Sequence, residues 1–266
     1  MREIRGKYII QDGNIILAEN AEIMLDGSFY EVIRIYDGKF LFLNEHIERL
    51  EKSIIGAGYE CPFDKEYLLE LVNRLKQSLS ILNQNIKIVV EIENAKRISI
   101  YAIESKYPEK ELYEMGVAVD CLNIKRDNPE IKLWNQNYKN IVNKVVKEKE
   151  LFEVLLVDDD GTITEGSKSN VFFIKGDVVY TASTKKVLNG ITRQKVIEAI
   201  KNANIVIEEI DVGVKDIKDI DAAFLTGTSL NILPISRIGD KMFEYSVQTK
   251  RLMEKLKKAY EQILHE

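Results

Sequence analysis

The chain has 266 residues, 45% of them hydrophobic and 30% charged, with 38 Lys and Arg against 43 Asp and Glu for a net charge of −5. That composition suits an enzyme-sized protein with a sizeable core, and with no basic block it argues against attraction to nucleic acid or an anionic membrane. Two cysteines (Cys61, Cys121) and two histidines (His46, His265) rule against a disulfide framework or a His- and Cys-rich metal centre, and no metal is expected.

Residues 7–43 alternate and turn like paired strands, with Asp12-Gly13 and Asp37-Gly38 as hairpin signals. Asn44 is placed to cap a helix running to about Ala57, with Ile47, Leu50 and Ile54 as its apolar stripe. Asp64 is placed to cap a second helix that turns Leu68, Leu71, Leu75 and Leu79 inward. Lys87 to Glu93 and Ile98 to Ile103 read as a strand pair around Asn94-Ala95. The charged stretch 105–116 contains Pro108 and little periodicity, so it is expected to link an N-terminal α+β domain (1–104) to a C-terminal domain (117–266).

In that second half Val117 to Ile124 reads as a strand, and Asn137 to Lys149 as a helix burying Ile141, Val145 and Val146. Phe152 and Val154 to Val157 form a buried strand interrupted only by Glu153. Gly190 then precedes Thr192, which is placed to cap a helix carrying Val196, Ile197 and Ile200. Ile205 to Ile210 and Ala222 to Thr226 are further strands, Val214 to Ile220 a short helix, and Leu252, Leu256, Tyr260 and Ile263 mark a C-terminal amphipathic helix. Mixed rather than alternating elements, without Gly-x-Gly-x-x-Gly, indicate an α+β fold and not a Rossmann domain. No apolar run approaches a membrane span and MREIRGKYII lacks a signal peptide's apolar core, so the expected location is the cytoplasm.

Two stretches carry chemistry. Glu165-Gly166-Ser167-Lys168-Ser169-Asn170 precedes the apolar run Val171 to Ile174, and Leu188-Asn189-Gly190-Ile191-Thr192-Arg193 opens a helix whose free amides and dipole suit a phosphate. Together with Asp26-Gly27-Ser28-Phe29-Tyr30-Glu31 and Asn44-Glu45-His46-Ile47-Glu48-Arg49, they resemble the class IV aminotransferases. These are pyridoxal-phosphate enzymes of fold type IV, with a two-domain fold like that of D-amino acid aminotransferase.

The resemblance implies a pyridoxal 5'-phosphate cofactor, amino acid and 2-oxo acid substrates, and a homodimer. It places Glu165 at the pyridine nitrogen, where a carboxylate keeps the ring protonated. For the Schiff-base lysine it points to Lys132 in Ile131-Lys132-Leu133-Trp134-Asn135, with Lys139 as the alternative. It assigns the phosphate to Arg49, the Gly190, Ile191 and Thr192 segment, and Gly227-Thr228. Leu188 would pack on the ring, and Tyr30, Thr228 and Ser229 would face the substrate. The expected reaction is transfer of an amino group from an amino acid to a 2-oxo acid. Aminodeoxychorismate lyase, which uses the same apparatus to release pyruvate, and a catalytically silent binding homologue are the alternatives.

Overall fold

The computed structural model describes residues 3–93 and 96–265; the expected turn at Asn94-Ala95 lies outside the described residues. The chain divides into two compact units. One comprises Met1–Lys106 and Ile131–Asn137, the other Tyr107–Glu130 and Tyr138–Glu266.

In the first unit, β1 (Ile4–Gln11) and β2 (Asn14–Leu17) form a hairpin. Its turn needs positive φ at both Asp12 (49°) and Gly13 (81°), the pair that the sequence supplies. β3 (Phe29–Tyr36) turns at Asp37-Gly38 into the short β4 (Lys39–Phe40). Two helices follow, α1 (Leu43–Gly56) and α2 (Lys65–Leu79), then β5 (Gln84–Glu91) and β6 (Arg97–Ile103). The six strands pair antiparallel in the order β2-β1-β6-β5-β3-β4.

One sheet face presents Ile33, Ile35, Ile86, Ile88 and Ile100 to Ile47, Leu50 and Ile54 of α1 and to Leu68, Leu71 and Leu75 of α2. Each such side chain stabilises the fold by about 1.5–3 kcal/mol on burial. Strand alternation sends Ile9, Val89 and Tyr101 to the opposite face. Asp64 caps α2 as expected, accepting from the Tyr67 amide at 2.7 Å. Asn44 does not cap α1: the helix begins at Leu43, the cap position belongs to Phe42 in a left-handed conformation (φ 56°), and no side chain caps it.

In the second unit, α3 (Lys110–Met115) forms within the stretch expected to be a linker and packs Leu112 and Tyr113 on the core. There follow β7 (Val117–Asn123), α4 (Gln136–Glu148), β8 (Glu153–Val157), β9 (Thr162–Gly166), β10 (Asn170–Lys175) and β11 (Val178–Thr181). Then come α5 (Ile191–Asn202), β12 (Val206–Glu209), β13 (Val212–Gly213), β14 (Ala222–Gly227), β15 (Asn231–Ile238), β16 (Lys241–Met242) and α6 (Val247–His265). The mixed sheet runs β12-β11-β10-β14-β15-β7-β8-β9-β13, with β16 on β15.

Two details depart from the sequence pattern. On α4 it is Val142 that turns inward, against Leu151, Val154 and Leu156, whereas Ile141 is 48% exposed. Tyr138, Val142, Val145 and Val146 make the stripe instead, which shifts the buried face by one residue. The last strand expected from the sequence is Ala222 to Thr226, but a central strand follows, β15, although it carries Pro234, which lacks an N–H and ordinarily marks an edge. Here the pairing of β15 with β7 shifts register between Ile235 and Arg237, beside that proline. Among the described residues no helix is long and apolar enough to cross a membrane.

Candidate active site

The first unit builds one group of candidate residues around a buried carboxylate. Glu31, on the inward side of β3, is fully buried and receives both Nε (2.7 Å) and Nη2 (2.8 Å) of Arg49 from α1. His46, one turn earlier on the same helix, donates from Nδ1 to Glu31 at 2.8 Å. Burial alone would raise the Glu31 carboxyl; Arg49 and His46 outweigh it and hold the group well below the usual carboxylate range. Burial lowers the His46 pKa against the pull of Glu31, so the imidazole is neutral and Nδ1 carries the hydrogen. The guanidinium that the resemblance assigns to a phosphate is therefore oriented by a carboxylate.

Tyr30, next to Glu31 in β3, points to the other side of the strand. The segment carrying Lys132 runs antiparallel along the start of this strand: Tyr30 N–H donates to Lys132 O (3.3 Å), Trp134 N–H to Ser28 O (2.9 Å), and Phe29 bridges Leu133. The Lys132 amide also donates to Ser53 Oγ of α1 at 3.2 Å. These contacts fix the lysine's backbone and bring its Nζ to 4.8 Å from the Tyr30 ring centroid. The Trp134 ring meets Tyr30 edge-on at 5.3 Å.

The second unit builds the other group around Glu165 on β9. Its buried carboxylate accepts from Arg126 Nη1 at 2.6 Å on one oxygen, and from the Leu188 amide (3.1 Å) and Asn170 Nδ2 (3.4 Å) on the other. Asn170 also donates to Leu188 O at 2.9 Å. This ring of bonds explains Gly190, where an added Cβ would collide with Asn170 Oδ1. A second buried carboxylate shapes the turn between β9 and β10. Glu153 accepts from Ser167 Oγ (3.2 Å), the Lys168 amide (2.5 Å) and Ser169 Oγ (3.1 Å), so the hydroxyls of Gly-Ser-x-Ser are structural.

Helix α5 starts with Gly190 at its cap position, and its first helical bond runs from the Gln194 amide to Gly190 O at 2.9 Å. Thr192 is thus not the cap; it is the second residue of the helix, and the first-turn amides of Ile191 and Thr192 have no partner within the helix. Arg193 is buried and holds Ala182 O (2.9 Å) and Glu209 (3.0 Å), a structural role. Thr228 and Ser229 form the tip of the β14–β15 hairpin, closed by the Leu230 amide on Gly227 O at 2.9 Å.

In the first unit the structure thus sets Lys132 against Tyr30 and holds Arg49 on Glu31, and in the second it ties Glu165 to Leu188 and Asn170, with Gly190, Ile191 and Thr192 opening α5. Lys139, the other candidate amine, is a half-buried residue of α4. Arg126 was not singled out from the sequence; its only signal there is a cation in the loop between β7 and Lys132. The site's chemistry can be tested for fit to a phosphorylated pyridine ring. A buried carboxylate with its oxygens held by donors, a helix start without side chain at Gly190, and the buried Thr226 hydroxyl, which has no hydrogen-bond partner among the described residues and pairs across strands with Asn170, all suit such a group.

Solved structures share this architecture. The T.th. branched-chain amino acid aminotransferase with pyridoxamine 5'-phosphate superposes with a TM-score of 0.85 at 22% identity, over 98% of this chain and 95% of that one. The branched-chain aminotransferase of Thermoproteus uzoniensis with norvaline gives 0.82 at 21% identity, over 98% and 96%. The fold is that of the type IV class of pyridoxal-phosphate enzymes, α+β as expected. The family model for amino-transferase class IV matches residues 28–238. The D-alanine aminotransferase of Bacillus licheniformis is 31% identical over 225 residues, 79% of this chain and 78% of that protein. That of Listeria monocytogenes serotype 1/2a (strain 10403S) is 29% identical, over 90% and 88%. The chain belongs to the class IV aminotransferase family, and it is a pyridoxal-phosphate-dependent enzyme that moves an amino group between an amino acid and a 2-oxo acid.

Proposed function

We propose that Lys132 is the amine that bonds the cofactor aldehyde and that Glu165 faces the cofactor's ring nitrogen. The observation that carries this reading is the anchoring of Glu165. With Arg126, Leu188 N–H and Asn170 all donating to it, the carboxylate is held in one orientation, as an acceptor facing a protonated ring nitrogen must be. When bound, pyridoxal phosphate supplies an electron-withdrawing ring and the carbonyl that accepts the amino group.

The chain's own residues do the rest. Lys132 would be the group that takes the proton from the substrate's Cα when the cofactor is bound. Tyr30 stands against that amine. Arg49, aimed by Glu31, joins the Ile191 and Thr192 amides and Thr228 in holding phosphate. Leu188 covers the ring, and Gly227 lets the chain approach closely. Thr228 and Ser229 face the substrate, an amino acid or 2-oxo acid. The same reading includes a homodimer working in the cytoplasm, for which the family resemblance is the support.

Borohydride reduction followed by peptide mapping tests cofactor and nucleophile together. The expected product is a modified Lys132, and Lys132→Ala should leave the protein colourless while Lys139→Ala keeps its colour. Modification at Lys139 would overturn the assignment. Amino transfer to 2-oxoglutarate, rather than pyruvate release from aminodeoxychorismate, is the expected turnover.

A further inference from the structure

Helix α1 buries a hydroxyl that amino transfer as described does not use. Ser53 stands beside Ile54 on the inner side of the helix and is only 2% exposed. An apolar side chain there would add to the core, whereas a buried hydroxyl costs stability unless it is bonded. Within a helix, a serine hydroxyl ordinarily points to solvent or turns back to the carbonyl four residues earlier. The Ser53 oxygen instead accepts the amide of Lys132 at 3.2 Å, across 79 residues of sequence.

That bond closes a loop of contacts around the lysine. The Lys132 amide goes to α1 and its carbonyl accepts the Tyr30 amide of β3 at 3.3 Å, so both backbone groups of the residue are held. The helix and the strand are themselves joined by the bonds from Arg49 to Glu31, at 2.7 and 2.8 Å. Ser53 lies one turn past Arg49, about 6 Å along the axis. His46, Arg49 and Ser53 follow the i, i+3, i+7 spacing of one helix face. Burial lowers the His46 pKa against the pull of Glu31, and the charges of Arg49 and then Lys132 lower it further, which sets the lysine's charge on that same side of α1.

A stiff ligand with an aldehyde at one end and a phosphate at the other fits only where amine and cation keep one spacing. We propose that Ser53 is a positioning residue that sets this spacing, by tying the backbone of Lys132 to the helix that carries Arg49. The proposal rests on Lys132 and Arg49 having the roles given above. Glu31 aims the guanidinium, and Ser53 registers the lysine against it. Without the hydroxyl, Lys132 keeps its bond to β3 and loses its reference to α1.

The test compares pyridoxal phosphate with pyridoxal, which carry the same aldehyde and differ by the phosphate. The full chain, freed of cofactor, is titrated with each, fixed with borohydride, and the label on Lys132 is quantified by peptide mapping. The preference for the phosphorylated form is the ratio of the two half-saturating concentrations. It is expected to fall about tenfold in Ser53→Ala, the effect of one misaligned charge-assisted contact, and to recover in Ser53→Thr, which restores the hydroxyl. Pyridoxal itself should label Ser53→Ala nearly as well as wild type, because only the phosphorylated form depends on the spacing. If Ser53→Ala does not fold, Ser53→Cys decides: its weaker acceptor should give an intermediate preference. An unchanged preference, an equal loss for both aldehydes, or a threonine variant that behaves like alanine would each overturn the proposal and leave Ser53 a core hydroxyl. Label on a lysine other than Lys132 would refute the active-site reading instead, and it shows itself in the wild type.

Discussion

Glu31→Gln is the sharpest test of how the first unit is held together. The substitution keeps the shape of the side chain and one acceptor oxygen, but removes the charge that pairs with both Nε and Nη2 of Arg49 and accepts from His46. Glu31 is fully buried and the Arg49 side chain is only 12% exposed, so solvent screens the pair weakly. Breaking a buried pair by removing one partner costs about 3–5 kcal/mol, and the retained acceptor favours the lower end, about 3 kcal/mol. For a chain of this size that corresponds to a melting point lowered by roughly 10 °C near neutral pH. The pH dependence gives a second handle. A carboxyl depressed in the folded state contributes fully above its unfolded pKa of about 4.3, and that contribution fades as pH falls toward the depressed value. The melting difference between wild type and variant should therefore be constant near neutral pH and shrink once the pH drops below about 4. Thermal melts followed by circular dichroism across that range measure it. A variant melting within a degree or two of wild type near neutrality, or a difference that ignores pH, would refute the reasoning.

Two further substitutions probe the second unit. Gly190→Ala would set a Cβ against Asn170 Oδ1, and the buried amide must move off Leu188 O. Losing that bond costs about 1–3 kcal/mol, so the dissociation constant for pyridoxal phosphate, read by absorbance titration, should rise about tenfold or more. An unchanged constant would mean that the tight approach is incidental. Glu153→Gln should behave oppositely to Glu31→Gln. Burial raises the Glu153 carboxyl against the pull of Lys168 and the two serines. A raised acid loses stability as pH climbs from its unfolded pKa through its folded one. The glutamine variant should thus melt at or above wild type at alkaline pH and lose that advantage near pH 4, by calorimetry. A destabilised variant at every pH would show that the ionised form is what the turn requires.

The parts of this architecture legible in the sequence are those fixed by short-range stereochemistry. Asp12-Gly13 can adopt two consecutive positive φ angles, and Asp64 can reach the amide three residues on, whatever surrounds them. Asn44, Ile141 and Thr192 went astray by one or two positions because a helix's start and buried face are chosen by what it packs against. Phe42 in a left-handed conformation ends the approach to α1, and a bare Gly190 suffices for α5 because Asn170 occupies the space a side chain would need. Pro234 hid β15 altogether, since local propensity assigns it to an edge. In the site, Glu165 is marked by its motif, yet nothing in spacing identifies which of 38 cations will meet it. Arg126 arrives across 39 residues of sequence.

The same device recurs in both units with the charges exchanged. Arg49, proposed for an anionic phosphate, is aimed by the carboxylate of Glu31; Glu165, proposed for a cationic ring nitrogen, is aimed by the guanidinium of Arg126. A lone buried ion would have its charge suppressed by desolvation and its side chain free to swing. A fork of opposite charge behind it removes both problems, at the cost of dividing its field between support and ligand. A lysine could neutralise Glu31 or Glu165 as well, but it offers a point charge where arginine's rigid planar fork fixes direction. Orientation rather than net charge is what a cofactor bound repeatedly in one pose requires, which is why each pair contains an arginine, as the functional group in one and as its support in the other.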